Sequence, residues 1–169
     1  MLKGFITNLG KYNEGELVGE WISFPIEEEE LEEVLEQIGI SDEPNEDGSY
    51  YEEFFFTDWE YEDIPNLHLG EYENIESVNE IAEILEGKNS KVVLAIVEAT
   101  DYGVVEAAGE IDRCIFYEGK TLVEVAEDIV ENCYDLPAFA KKYFDYKAFA
   151  SDLEDEGYTE TEYGTIVVD

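Results

Sequence analysis

Positive charge is nearly missing from this sequence. Between Tyr12 and Gly87 there is no lysine or arginine, while acids occur 26 times in those 76 residues. Over all 169 residues, 9 basic side chains face 45 acidic ones, giving a net charge of −36, and Arg113 is the only arginine. A chain so short of clustered cations has no means of gripping nucleic acid or an anionic membrane directly. Long apolar runs are missing too: nothing approaches the roughly 18 apolar residues of a spanning helix. Residues 1–10 show no charged segment followed by a long apolar one, so no signal peptide is read. Cysteine is scarce: Cys114 and Cys133 have no CxxC spacing, and one isolated pair is a poor disulfide framework. They read as buried thiols of a cytoplasmic protein.

Catalytic and cofactor signatures are equally thin. His68 is the only histidine, set between Leu67 and Leu69. Without a second histidine or a CxxC pair it defines no zinc site, and any Ser/His triad would have to use it. No GxxxxGK[ST] or GxGxxG occurs, so nucleotide binding has no support. Residues 42–48 resemble a calcium loop until the register is tested. With Gly48 at loop position six, Glu43, Asn45 and Asp47 fall at one, three and five, but position twelve is Phe54, where a bidentate Glu is needed. Close carboxylate pairs are unavoidable among 45 acids and carry no information by themselves. The expectation is a protein with no catalytic residues, no metal and no cofactor.

What the chain does have is material for a core. Hydrophobic residues make up 44% and aromatics 14%, which argues against the disorder that such charge would otherwise imply. Apolar stretches at 4–9 and 17–24 read as strands joined by a turn-rich loop over 10–15. In 27–38, Leu31, Val34, Leu35 and Ile38 fall at i, i+3, i+4 and i+7, an amphipathic helix stopped by Gly39. Residues 41–48 read as a polar loop. A third strand follows at 54–57, with Trp59 and Tyr61 continuing the alternation, and then a connection at 63–70. A helix at 75–85 has Asn74 as its N-cap. The run 92–97 is ambiguous: β-branched residues favour a buried strand, helix-like neighbours favour the helix taken here. A short helix is read at 104–108 and a strand at 115–117. Thr121 and Glu124 form a capping box for a helix with Leu122, Val125, Ala126, Ile129, Val130 and Cys133 on one stripe, and Pro137 lies beyond its end. Asp145 caps another, with Tyr146, Phe149, Ala150 and Leu153 inward and Gly157 after it. A hairpin at 158–162 and 165–168 closes the chain.

The acids are arranged against helix stability. Glu28, Glu32 and Glu36 run at i, i+4 and i+8, with Glu29 and Glu33 beside them. Glu76, Glu80 and Glu83 share a face, as do Glu124, Asp128 and Glu131, with Glu127 adjacent. Like charges at i, i+4 destabilise a helix by about 0.2–0.5 kcal/mol per pair, so selection for stability alone would have placed lysines there. A solvated acidic face explains solubility but not the absence of bases over 76 residues. Four helical residues rise about 6 Å, close to the separation of successive phosphates along one strand. At one charge per 1.7 Å of duplex axis, a net 36 charges correspond to roughly 61 Å of B-DNA. These helical rows, with Glu60 and Glu62 after the third strand, are the candidate phosphate-mimicking surface.

Residues 8–21 (Asn-Leu-Gly-Lys-Tyr-Asn-Glu-Gly-Glu-Leu-Val-Gly-Glu-Trp), followed by Phe24-Pro-Ile, closely resemble the start of ArdA-type antirestriction proteins. Glu71-Tyr-Glu-Asn-Ile-Glu looks like the opening of that family's middle domain, and residues 143–153 are similar to its C-terminal helix. The likeness spans nearly the whole chain and is weakest over 88–110. It implies an elongated homodimer, dimerising through its C-terminal domain, that imitates bent B-form DNA. Such a protein occupies the DNA groove of type I restriction–modification enzymes, formed by their specificity and methyltransferase subunits. Residues 121–137 look like the family's acidic antirestriction region, while Lys141, Lys142 and Lys147 interrupt the acidic surface. The expected fold class is α+β in three small domains: 1–73 (antiparallel sheet plus helix), 74–111 (helical) and 112–169 (antiparallel strands plus helices, dimerising). The rival readings are an acidic chaperone or decoy for another basic protein, and a metal-dependent enzyme from a high-salt cell. A salt-adapted enzyme should keep a recognisable site and spread its acids evenly, and neither holds here.

Self-repulsion on this scale makes stability depend on ionic strength. The melting temperature of the free protein is expected to rise as salt is added from low concentration. Calorimetric scans across a salt series check this, and a melting point that falls with the first additions contradicts it.

Overall fold

A computed structural model describes residues 1–41, 43–44 and 48–168. Asp42, residues 45–47 and Asp169 lie outside the described residues, and with them much of the polar loop read at 41–48. The fold is α+β, and its contacts separate two compact units, Met1–Glu86 and Gly87–Asp169.

In the first unit, β1 (Leu2–Asn8) is the central strand of an antiparallel sheet ordered β2-β1-β3, flanked by β2 (Gly19–Phe24) and β3 (Phe54–Glu60). Strand alternation turns Ile6, Ile22, Phe24 and Phe56 to one face, and all four are buried. Gly4 is required beneath the aromatics. A Cβ there would lie 2.8 Å from the rings of Phe56 and Trp59, which sit 4.3 Å apart between centroids. Onto this face pack Leu31, Val34 and Leu35 of α2 (Glu28–Gln37) and Val78 and Ala82 of α3 (Ile75–Glu86). The helix assigned from sequence to the head of a central domain thus contributes to the core of the N-terminal sheet. Its attachment is also polar: Asn79 accepts from the Ile26 backbone N–H and donates to the Ile26 carbonyl, each at 2.8 Å.

The turn-rich loop expected at 10–15 is instead partly helical. Asn8, wholly buried, accepts from the Lys11 backbone N–H at 2.9 Å and so caps α1 (Leu9–Asn13). Its amide donates to the Ile38 carbonyl at 3.0 Å, which ties the end of β1 to the end of α2. Gly10 within this segment and Gly15 just after it mask the turn of helix in the sequence pattern.

The second unit opens with α4 (Ser90–Ala99), which settles the ambiguous run at 92–97 as helix. Its burial explains the ambiguity: Val93, Ala95, Ile96 and Val97 are all inside, so the segment shows no polar face to set a period. Then come α5 (Val104–Gly109), a 3-10 turn at Ile111–Arg113, β4 (Cys114–Glu118), α6 (Leu122–Cys133), α7 (Ala138–Lys141) and α8 (Tyr146–Asp155). The chain closes through β5 (Thr159–Thr161) and β6 (Gly164–Val168), which form an antiparallel sheet with β4 in the order β4-β6-β5. α4 packs against this sheet, and α6 packs on α8 through Leu122, Ala126, Ala150 and Leu153. Gly164 has φ +139°, and a Cβ there would stand 2.3 Å from the Tyr117 carbonyl, so the β4–β6 pairing admits only glycine.

Three particulars differ from expectation. α7 was not foreseen, because four residues after a proline show no period. Cys133 is exposed rather than buried, since it is the last residue of α6, where Tyr134 leaves the helix in extended conformation. Cys114 is half-buried, and that burial raises the pKa of its thiol.

With aromatic packing supplying the first core, Phe56→Ala is expected to destabilise the protein by about 3–5 kcal/mol. Urea denaturation followed by circular dichroism checks this, and a change below 1 kcal/mol would contradict the assigned core.

Candidate anionic interface

The apolar stripe of each helix decides where its acids point. On α2, Leu31, Val34 and Leu35 pack on the sheet, leaving Glu28, Glu29, Glu32, Glu33 and Glu36 exposed on the other side. The first-turn acids Glu28, Glu29 and Glu30 complement the helix dipole. Glu32, Glu33 and Glu36 have no such compensation, and no basic residue stands in the last turn. On α3, Val78 and Ala82 face the core, and Glu76, Glu80 and Glu83 lie on the opposite, exposed face. Glu60 closes β3, Glu62 follows it, and both are exposed. The structure therefore brings ten of the carboxylates singled out from sequence onto the surface of the first unit.

Cations do not neutralise the helical rows. Among the described residues, no Lys or Arg nitrogen lies within 4.0 Å of a carboxylate on α2 or α3. Both lysines of the unit are engaged elsewhere. Lys3 meets Glu60 at 3.5 Å, while Lys11 meets Glu14 at 3.3 Å and Glu16 at 3.7 Å. Hydrogen bonding with Tyr51, then Glu14, raises the pKa of Lys11 well above its ordinary value.

In the second unit, α6 carries Glu124, Glu127, Asp128 and Glu131, and they divide by role. Glu127 and Glu131 are exposed. Asp128 is half-buried and paired with Lys120, whose pKa it raises. Glu124 completes the capping box: its carboxylate accepts from the Thr121 backbone N–H at 2.8 Å and from the Thr121 hydroxyl at 2.9 Å, and these bonds lower its pKa. Glu124 and Asp128 thus hold the helix as well as charging it. Among the described residues, no cluster of three His, Cys, Asp or Glu is placed to hold a metal ion, and no helix is long and apolar enough to cross a membrane.

A family model for antirestriction protein (ArdA) matches residues 5–167. The chain belongs to the ArdA antirestriction family. ArdA proteins inhibit type I restriction–modification enzymes, and they are inhibitors rather than enzymes. A comparison with curated proteins returns no match. The match covers both packing units, so the acidic rows of α2 and α3 and the capped helix α6 all fall within the ArdA region.

Sequence reasoning overlooked one surface of this ArdA chain. Reading 4–9 and 17–24 as strands assigns them no faces, whereas β1 alternates Leu2, Gly4 and Ile6 against Lys3, Phe5 and Thr7. The available signal is the aromatic pair Phe5 and Trp21, cross-strand partners on the face opposite Ile6 and Ile22.

The Glu124 bonds give a defined pH dependence. A carboxylate with a lowered folded pKa stabilises above its unfolded pKa and loses that contribution as pH falls through the folded value. Glu124→Gln should therefore be less stable than the parent at pH 7, with the gap closing below about pH 4. Thr121→Ala should cost about 1 kcal/mol. Thermal melts of the three proteins from pH 7 to pH 3 check this, and a gap that widens on acidification contradicts the assignment.

Proposed function

We propose that this ArdA protein inhibits type I restriction–modification enzymes as a DNA mimic, competing for the DNA groove formed by their specificity and methyltransferase subunits. The observation that carries the reading is the pair of helical rows on α2 and α3. Their carboxylates are exposed, unpaired with cations among the described residues and spaced by about 4.5–6 Å along each helix. Exposed carboxylates there act as phosphate surrogates, and Glu127 and Glu131 extend the charge on the second unit. The site of action is the cytoplasm, where such enzymes meet DNA.

The active form in this proposal is a homodimer joined through residues of the 112–169 region. That region holds large exposed apolar side chains, including Ile115, Tyr134, Phe139 and Tyr143. Lys141, Lys142 and Lys147 lie among them, which lowers the local repulsion that otherwise opposes self-association. A dimer doubles the roughly 61 Å of duplex-equivalent charge, which suits an enzyme that reads a bipartite site.

The deciding experiment is gel filtration with a purified type I methyltransferase core, with and without its cognate DNA. Co-elution that DNA displaces supports mimicry. Co-elution indifferent to DNA points to the acidic-chaperone reading. Light scattering at micromolar concentration reports the dimer, and a monomer there overturns that part of the proposal.

Distributed contacts also predict how mutations behave. An exposed ion pair is worth about 0–1 kcal/mol, so Glu32→Gln or Glu80→Gln alone should weaken inhibition by less than about fivefold. Glu28, Glu32 and Glu36 changed together to Gln should weaken it about tenfold or more, with a shallower salt dependence. Inhibition titrations on folded variants measure this. Abolition by one carboxylate-to-amide change in a folded protein would require a discrete site instead.

A further inference from the structure

α2 and α3 pack on one side of the first sheet, and α1 covers part of the other, where its Tyr12 lies on buried Phe55. On that second side, strand alternation places Phe5 and Thr7 of β1, Trp21 of β2, and Phe55 and Asp58 of β3, with the Lys3–Glu60 ion pair at one end. Phe5 and Trp21 pack edge to face at 5.4 Å between centroids, and Tyr12 stands edge-on to Phe55 at 5.0 Å. Leu17, Tyr12 and Trp21 are 65%, 49% and 42% exposed. With Phe5, Thr57 and Asp58 they line one open cleft. A contiguous apolar patch of this kind marks an interaction surface.

Charge selects the occupant. The first unit has 26 acids against Lys3 and Lys11, a net −24, and both lysines are already in ion pairs. A second copy laid on this face would bring −24 against −24, and nucleic acid or an anionic membrane would be repelled in the same way. The cleft combines aromatic side chains with one exposed carboxylate. That combination fits a guanidinium, which stacks on rings and bonds a carboxylate in its own plane. The same unit already holds a cation in such surroundings: Lys11 Nζ lies 4.9 Å from the centroid of the Tyr51 ring and 3.3 Å from Glu14.

We infer that this outer face is a second contact surface for the basic partner, receiving arginine side chains against Trp21, Tyr12 and Leu17 with Asp58 as counter-charge. The inference rests on the function proposed above. α2 and α3 cover the inner face, so the partner engages the unit from both sides of its sheet.

The test compares binding of a type I methyltransferase core by the parent, Leu17→Ser/Trp21→Ala, Trp21→Phe and the triple glutamine variant of α2, with melting curves for each. The Leu17→Ser/Trp21→Ala variant is expected to bind at least tenfold more weakly with an unchanged salt slope. Trp21→Phe should stay within about threefold of the parent, and the triple variant should lower the salt slope. If the double variant melts below assay temperature, Leu17→Ser alone carries the test, with about a threefold loss expected. Parent-like binding by the folded double variant overturns the inference and leaves the proposed function standing. If the parent does not bind the core, the proposed function fails. The face is then judged by tryptophan fluorescence with a pentaarginine and a pentalysine peptide. Stronger quenching by arginine, lost in Leu17→Ser/Trp21→Ala, supports it, and equal quenching overturns it. A change of oligomeric state in the double variant by light scattering would assign the face to a second copy, and that also overturns it.

Discussion

Carboxylates that have almost no cations to pair with must be held close together in this chain, and that repulsion shapes everything else in it. The first unit carries −24 and the second, with 19 acids against seven bases, −12. Surface ion pairs are weak contributors even where they are plentiful, and here the few available lie away from the acidic helices of the first unit. Cohesion must come from apolar burial and from neutral hydrogen bonds. The first core meets this with aromatics: Phe24, Phe56 and Trp59 pack against one another over Gly4. Fully buried Asn8 and the Asn79 amide supply connections between elements that no ionic strength can screen.

Several of the few cations stand where they fasten structure. Lys120 joins Asp128 across the start of α6, Arg113 meets Glu110 beside the 3-10 turn, and Lys91 of α4 meets Glu118 at the end of β4. Lys11 sits between Tyr51 and Glu14 at the end of α1. None of these pairs draws on a carboxylate of α2 or α3. A separation follows between acids that build the fold, such as Glu124, Asp128 and Glu14, and the exposed acids of α2 and α3, which pair with no cation among the described residues. The proposed mimicry draws on the second group.

Much of this was legible in the sequence, for reasons that differ by element. The capping box at Thr121 and Glu124 and the Asp145 cap are local chemistry, and both occur as read. The stripes of α2 and α3 alternate cleanly with acids, so each helix and its exposed row followed from period alone. α1 was hidden by its glycines, and α4 lost its period because it is buried nearly all round. The packing of Val78 and Ala82 under the first sheet depends on the chain's return path, which no local pattern encodes. The outer aromatic face escaped for the opposite reason. Phe5 and Trp21 look like ordinary strand residues until the structure shows Trp21 exposed beside Leu17 and Tyr12.

The two candidate contact surfaces of the first unit place opposite demands on stability. Removing a charge from the α2 row relieves like-charge repulsion within the helix while taking a contact from the complex. Selection for binding therefore works against selection for a stable free protein at every such position. An inhibitor built this way keeps its fold only if the burden is spread in small increments and the core beneath each row tolerates it. Short helices, each fastened by a few apolar side chains to the core of one three-stranded sheet, meet that condition. On the inference made above, the aromatic outer face would add affinity mostly through uncharged side chains, so a tighter grip on a basic partner there need not be set against the stability of the free chain.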